Sequence, residues 1–161
     1  MTVAEPTGLF QSGYTLIDSG SDAPFGEIAL RLFRGGRLTV GRDDYDIQAL
    51  DWTQTSLALV HGGARVAVAR RPQFWRRRTE VTLDATALGL DADLVLEVVP
   101  EGWFGRAWTV LADGLDAGRA DWSRGWKARL NADLSDAIPL VAQAFVVAVI
   151  VIDRRNSRRN N

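Results

Sequence analysis

One stretch of the chain concentrates the residue types that recognise phosphate. Between residues 70 and 78 the chain carries five arginines, with Phe74 and Trp75 among them; they are Arg70, Arg71, Arg76, Arg77 and Arg78. Arginine beside an exposed aromatic ring suits an anionic lipid headgroup or another phosphate, through bidentate hydrogen bonds and stacking. The same residues fit a solvated hairpin edge whose charges discourage pairing with another strand. The stretch is a candidate anion- or lipid-binding site, and both interpretations stay open.

The remaining reactive residue types give weaker signals. His61, the one histidine, lies in the turn at residues 60–63, and nothing in the sequence indicates a nucleophile within its reach. Carboxylates cluster at residues 43–46 and 91–93, where they could bind a hard cation or transfer protons, although such residues usually form turns. The chain has no cysteine, and it lacks phosphate-cradling and metal-binding motifs. We therefore predict no catalytic residue, no metal and no cofactor; an enzyme using the aspartate clusters is a further alternative.

Composition predicts one ordinary globular domain. The chain has 161 residues, 47% of them hydrophobic, and a net charge of −1. A charge so close to zero creates no global field that attracts nucleic acid, so no nucleic-acid partner is expected. Residues 1–11 include Glu5 and Pro6 and have neither the basic nor the apolar region of a signal peptide. We expect a cytoplasmic protein that could lie peripherally on a membrane.

The elements that must position these residues are short strands. Apolar and polar residues alternate, as in half-buried strands, in nine stretches. These are Glu27–Phe33, Tyr45–Leu50, Ser56–Val60, Arg65–Arg70, Thr79–Leu83, Leu94–Val99, Ala107–Leu111, Ala117–Trp122 and Trp126–Leu130. The breaks at 35–36, 62–63 and 113–114 offer the glycine and aspartate that tight hairpins need. Nine or more strands in series predict an antiparallel meander that closes to protect its edges.

A weak repeat relates two parts of this meander. A shift of 51 residues places Leu57 on Trp108, Gly63 on Gly114 and Trp75 on Trp126. In both copies the pattern predicts a strand, a glycine-containing turn, a second strand, a longer connection and a third strand. Repeats of this length are usually supersecondary units around a common core, although chance agreement between hairpins of similar composition is the alternative.

One segment differs from all the others. Residues 137–152 are apolar except at Gln143 and end at an arginine-rich cluster. As a helix, capped by Ser135 or Asp136 and with Pro139 in its first turn, the segment would span about 24 Å, short of the ~30 Å of bilayer hydrocarbon. An element that is apolar on all faces must be surrounded by protein or by lipid. We predict a helix inside the barrel, in which Gln143 meets a backbone carbonyl or a water near a bulge in the wall; a pair of buried strands competes with it.

The chain resembles the tubby C-terminal-like superfamily, which includes the LURP-one-related proteins and the phospholipid scramblases. The resemblance rests on residues 118–130 and 133–153, which form a Trp-containing strand region followed by a wholly hydrophobic segment that ends in Asp153. Residues 63–81 support it as an earlier copy, and coverage would run from Phe10 to Asp153. It implies a closed barrel of about twelve strands with the C-terminal helix threaded through it, and a lipid-related function.

The sequence therefore predicts a mainly β protein, a closed antiparallel barrel of about 10–12 short strands enclosing a hydrophobic C-terminal helix. The predicted boundaries are a flexible N-terminus at 1–9, a barrel domain at 10–153 with its helix at about 136–152, and a basic disordered tail at 154–161. The predicted function is non-enzymatic binding or scaffolding at an anionic phospholipid or another phosphate-bearing surface, with the protein partner unknown. A small tail-anchored membrane protein with a cytoplasmic β domain is the alternative.

Overall fold

Twelve strands form a closed antiparallel barrel in a computed structural model that describes residues 1–7, 13–31, 35–53, 55–72, 78–102, 106–124 and 128–159. Each strand pairs with its neighbours in the chain, and β1 closes the barrel against β12. The strands are β1 Thr2–Thr7, β2 Gly13–Asp18, β3 Ala23–Leu30, β4 Gly36–Val40, β5 Asp43–Ala49, β6 Ser56–His61, β7 Ala64–Arg70, β8 Thr79–Leu83, β9 Leu94–Glu101, β10 Ala107–Ala112, β11 Leu115–Trp122 and β12 Leu130–Leu134. The helices are α1 Ala85–Leu88 and α2 Leu140–Arg159. The predicted fold class is confirmed.

The barrel encloses α2 along most of its length. Ala142 and every residue from Ala144 to Ile152 are buried, and these residues belong to one core with inward-facing residues of the strands, such as Leu16, Leu59 and Leu130. The 13 residues from Leu140 to Ile152 rise about 20 Å, which is also the length of a six-residue strand. The protein wall, rather than lipid, therefore surrounds the apolar segment.

The bounds of α2 differ from the prediction. The helix begins at Leu140 instead of at about 136, because residues 135–138 form a separate turn in which the Ile138 N–H donates to the Ser135 carbonyl over 3.0 Å. Pro139 directly precedes the helix, and its carbonyl accepts the first helical hydrogen bond, from the Gln143 N–H at 3.0 Å. Neither Ser135 nor Asp136 is the N-cap. The helix also continues to Arg159, so the disordered tail predicted from residue 154 is wrong up to that residue.

Gln143 donates to backbone carbonyls, as predicted, but these carbonyls do not belong to the barrel wall. Its side-chain amide donates to the Ile138 carbonyl at 2.9 Å and to the Ser135 carbonyl at 3.3 Å. Both acceptors belong to the turn that leads into the helix. The one polar group within the apolar segment therefore ties the start of the helix to the chain that enters it, and this contact offsets the cost of burying an amide.

The first residues of the chain belong to the barrel. Strand β1 pairs with β2 along its full length and with β12 through Thr2, Val3 and Ala4. The flexible N-terminus predicted for residues 1–9 is therefore wrong for residues 2–7. The alternation in this segment is interrupted by Glu5 and Pro6. Proline is tolerated here because Pro6 lies beyond the part of β1 that pairs with β12, so only one side of the strand needs its hydrogen bonds there.

The 51-residue repeat corresponds to a shared irregularity in two hairpins. The register of β6 with β7 shifts between Leu59 and Val60, and that of β10 with β11 shifts between Val110 and Leu111, 51 residues later. A third shift lies between β2 and β3, at Leu16 and Ile17. The extra residue of each bulge lies on the third, seventh or eleventh strand (Phe25, Val66 and Ala117), and the barrel has three similar parts of four strands each. Trp75 and Trp126 of the predicted repeat lie outside the described residues, and the last predicted strand, 126–130, instead begins at Leu130.

Deleting residues 135–161 should abolish folding, because the deletion empties the barrel. It removes eight large buried side chains: Ile138, Phe145, Val146, Val147, Val149, Ile150, Val151 and Ile152. At about 1.5 kcal/mol or more each, their burial is comparable with the ~5–15 kcal/mol net stability of a domain. Urea unfolding followed by circular dichroism tests this. A truncated protein that stays soluble and unfolds cooperatively would contradict the enclosed-helix architecture.

Candidate functional site

The two ends of the barrel carry opposite charge. One end, where α2 enters, is formed by the strand ends and connections at 1–2, 18–23, 40–43, 61–64, 83–94, 112–115 and 134–140. We call it the acidic end, because it has eight carboxylates and one arginine: Asp18, Asp22, Asp43, Asp84, Asp91, Asp93, Asp113 and Asp136 against Arg42. The opposite end, where α2 leaves the barrel, is the basic end. Its described residues up to 155 include nine arginines (Arg31, Arg70, Arg71, Arg78, Arg106, Arg124, Arg129, Arg154 and Arg155) and three carboxylates (Asp51, Glu101 and Asp153).

The net charge of −1 therefore hides a strong separation of charge. Strands of about six residues hold the two ends roughly 20 Å apart. This exceeds the Debye length of about 10 Å at 0.1 M salt, so a charged partner at one end is largely screened from the other. The backbone dipole of α2 places its negative pole on the side of the basic end.

Arg71 and Asp153 tie α2 to the barrel mouth at the point where the helix leaves the barrel. Arg71 follows β7, and its guanidinium forms an ion pair with the Asp153 carboxylate, where the two side chains are only 17% and 19% exposed. The next residue along the helix, Arg154, lies over the ring of Trp122 at 3.9 Å from the ring centroid. Trp122 also meets Tyr14 edge-to-face at 6.2 Å. These contacts hold the emerging turn of α2 against β2, β7 and β11.

The described arginines of the predicted patch have different surroundings. Arg70 is exposed, at the end of β7. Arg71 is paired with Asp153, and Arg78 is paired with Glu97. Arg76 and Arg77, with Phe74 and Trp75, lie outside the described residues. Of the predicted set, Arg70 is thus the arginine without an ion pair among the described residues, and Glu80 lies opposite it on β8.

Two further exposed arginines, which sequence reasoning missed, join Arg70 at the basic end. Arg106 precedes β10 and Arg124 follows β11, and neither has an ion pair among the described residues. They escaped notice because each is isolated in the sequence, and only the closed order of strands brings both to one end of the molecule. By contrast, Arg129 pairs with Glu5 at 3.1 Å, and Arg31 approaches Asp46 at 4.0 Å.

A connection at the same end presents an exposed tryptophan. Trp52 is 94% exposed in the connection from β5 to β6. The preceding residue, Asp51, accepts hydrogen bonds from the Thr53 hydroxyl at 2.7 Å and from the Thr55 N–H and hydroxyl at 3.0 and 3.1 Å. Burial alone would raise the pKa of Asp51, but the hydrogen bonds from Thr53, Thr55 and Ser56 outweigh burial and lower it to about 2. An aspartate followed by threonine two and four residues later was the available sequence signal.

The remaining candidate residues have structural roles. His61 is exposed; its Nδ1 lies 2.9 Å from the Asp44 carbonyl and its ring lies over Tyr45. Asp84 caps α1 through the Ala87 N–H, and Asp93 accepts from the Ala85 N–H. Among the described residues, no group of three or more histidine, cysteine or acidic side chains could hold a metal ion.

The cleft beside the Arg71–Asp153 pair is too small for an organic ligand. It is lined by Thr55, Leu57, Thr79, Val149 and Ile152 together with the pair, and its volume is about 20 Å³. That volume holds one water molecule, whereas sites for small molecules usually measure ~300–1,000 Å³. This cleft, among the described residues, therefore does not enclose an organic substrate.

Comparison with known proteins identified no relative. A scan against protein-family models, a search of curated proteins and a search of solved structures each found no match to this chain.

Breaking the Arg71–Asp153 pair should destabilise the protein more than replacing both partners. Removing one member of a fully buried pair costs about 3–5 kcal/mol, and the partial exposure of this pair reduces that cost. We expect Asp153→Ala to lower the free energy of unfolding clearly and Arg71→Met/Asp153→Leu to lower it less. Urea unfolding of the complete double-mutant cycle measures the coupling between the two residues. Additive effects would contradict a structural lock at the helix end.

The Asp51 loop should give a pH-dependent stability difference. Because the pKa of folded Asp51 is about 2, below the ordinary aspartate value of 3.8, its ionised form stabilises the fold above pH 3.8, and this contribution is lost as the pH falls through about 2. At pH 6 we expect the melting temperature of the wild type to be higher than that of Asp51→Asn. This difference should become smaller as the pH approaches 2. Asp121→Asn, at an exposed carboxylate without a hydrogen bond among the described residues, serves as the control. A difference that does not change with pH would contradict the proposed bracing by the carboxylate.

Proposed function

We propose that this protein is a non-enzymatic binding module that attaches through the basic end of its barrel to an anionic phospholipid surface or to another phosphate-bearing surface. It would act in the cytoplasm as a peripheral membrane or scaffold protein. The observation that carries the proposal is the separation of charge between the two ends of a closed barrel: among the described residues, nine arginines and three carboxylates lie at the basic end, and eight carboxylates and one arginine lie at the acidic end.

Exposed, unpaired arginines are the residues best suited to such a surface. Arg70, Arg106 and Arg124 lie on three different strand ends around the mouth of the barrel, so a flat surface laid across this end can meet more than one of them. Each basic residue near an anionic membrane contributes about 1 kcal/mol, and the contribution decreases with salt. Guanidinium groups also bind phosphate oxygens in bidentate fashion, which lysine does not do.

The resemblance to the tubby C-terminal-like superfamily supports the same class of ligand, although likeness of fold alone is a weak argument for function. The two alternatives draw less support from the geometry. The apolar segment that a tail anchor would need is packed inside the barrel. The aspartates that an enzyme would need lie on β5, where Asp44 accepts from the Thr39 hydroxyl, or beside α1, where Asp93 accepts from the Ala85 N–H.

A separate finding concerns membrane spans. Within the described part of the chain, no helix combines the length and the apolar character required to cross a bilayer.

The proposal predicts salt-sensitive binding that depends on specific arginines. Replacing Arg70, Arg106 and Arg124 together by glutamine should lower affinity for phosphatidylserine-containing vesicles on the order of 100-fold, at about 1 kcal/mol for each residue. The melting temperature should stay unchanged, because no described side chain depends on these charges. Cosedimentation at low and high salt, with acidic and with neutral vesicles, measures the effect.

A matched control removes the same charge elsewhere. Arg42 and Arg65 are exposed and lie at or next to the acidic end, so their joint replacement by glutamine should leave vesicle binding nearly intact, whereas the matched replacement of Arg106 and Arg124 should weaken it. Equal losses in both double variants would indicate a response to net charge only. Absence of binding, or partitioning that is insensitive to salt, would contradict the proposal, and salt-sensitive binding to inorganic phosphate or to DNA in place of vesicles would identify a different phosphate source.

A further inference from the structure

The loop at residues 50–55 carries a second recognition element. We infer that Trp52 is an interfacial anchor, which inserts its indole into the headgroup region of the anionic membrane that the basic end approaches. This inference rests on the proposed function and adds to it an apolar contact that salt does not weaken.

The exposure of Trp52 is unusual for its residue type. Tryptophan is one of the most costly side chains to leave in water, and most tryptophans in folded proteins bury a large part of their surface. Trp52 is 94% exposed, and Leu50, two residues before it, is 40% exposed. Trp122 and Trp108, in contrast, are buried. The loop therefore offers an indole that the folded chain itself does not cover.

The loop is braced in a way that keeps the indole outside. Its base is closed by the hydrogen bond from the Leu50 N–H to the Ser56 carbonyl at 2.8 Å, and the Arg71 N–H donates to the Thr55 carbonyl at 3.1 Å. Within the loop, Asp51 accepts the hydrogen bonds of Thr53 and Thr55 described above. A preorganised loop loses little conformational entropy when it binds, so the free energy of burying the indole is retained for association.

The position of the loop indicates which partner its tryptophan would contact. The loop lies on the same end of the barrel as Arg70, Arg106 and Arg124, and Arg71, which directly follows Arg70, is hydrogen-bonded to it. Membrane interfaces favour tryptophan at headgroup level, with its apolar ring toward the acyl chains and its N–H toward water. Stable peripheral binding usually needs two signals, of which a basic patch and an apolar insertion are a common pair. An anionic bilayer satisfies both features at once.

A set of single variants tests the inference on the full chain. Trp52→Ala should weaken binding to mixed phosphatidylcholine–phosphatidylserine vesicles by about tenfold or more, and the loss should persist at high salt. Trp52→Phe should retain part of the affinity. The control is Leu115→Ala, since Leu115 is a 75% exposed apolar residue at the acidic end, and it should bind like wild type.

A fluorescent dye attached near Trp52 can report the insertion of this loop into the membrane without replacing the tryptophan. Because the chain has no cysteine, Leu50→Cys accepts a single environment-sensitive dye next to the indole, and Leu115→Cys accepts it at the opposite end. Acidic vesicles should shift the emission of the first probe to the blue and leave the second unchanged.

The outcomes separate the two proposals. If wild type binds acidic vesicles in a salt-sensitive manner but Trp52→Ala binds equally well and the Leu50 probe does not respond, the anchor is wrong and the proposed function stands. If wild type does not bind acidic vesicles at any salt concentration, both are wrong.

Discussion

The enclosure of α2 is the constraint on which the rest of the structure depends. A helix that is apolar on every face is stable in water only when other residues cover it completely, and a single flat sheet covers one face. Closing the sheet covers all faces and also removes the unpaired edges that an open meander would expose. The inward residues of the strands and the buried residues of the helix thus form one core, and neither element has an independent means of burying its apolar surface.

Filling the barrel with a helix also determines where function can lie. An eight-stranded barrel can hold a ligand in its interior, whereas here the interior is occupied by Phe145, Ile150 and their neighbours. The outer wall is made of antiparallel strands, whose exposed polar residues alternate with the buried ones. The two ends, where the chain turns, are left as the places at which side chains can be concentrated without affecting the core, and it is at the ends that the charges separate.

The fold could be predicted from sequence because its signals are local. Alternation in stretches such as Thr79–Leu83 and positive-φ turns such as Asp113–Gly114 act within a few residues, and the apolar segment is continuous. The parts of the prediction that were wrong depend on contacts between residues distant in the sequence. Residues 2–7 form a strand because β2 and β12 flank them. The helix continues past Asp153, and Arg71 and Trp122 contact the turn at which it leaves the barrel. The third bulge, between β2 and β3, was missed because its spacing differs from that of the other two.

The candidate site also combines features that local sequence signals predict with features that depend on distant contacts. The sequence indicates arginines that are consecutive, as in residues 70–78, but the order of strands decides which arginines share an end. Arg71 and Arg78 are neutralised by carboxylates far away in sequence, Asp153 and Glu97, whereas the isolated residues Arg106 and Arg124 remain exposed. A closed meander brings every second connection to the same end, so charge can be separated by assigning acidic residues to one set of connections and arginines to the other. A composition close to neutrality is then compatible with two strongly charged surfaces, and net charge alone is a poor guide to the partners of such a barrel.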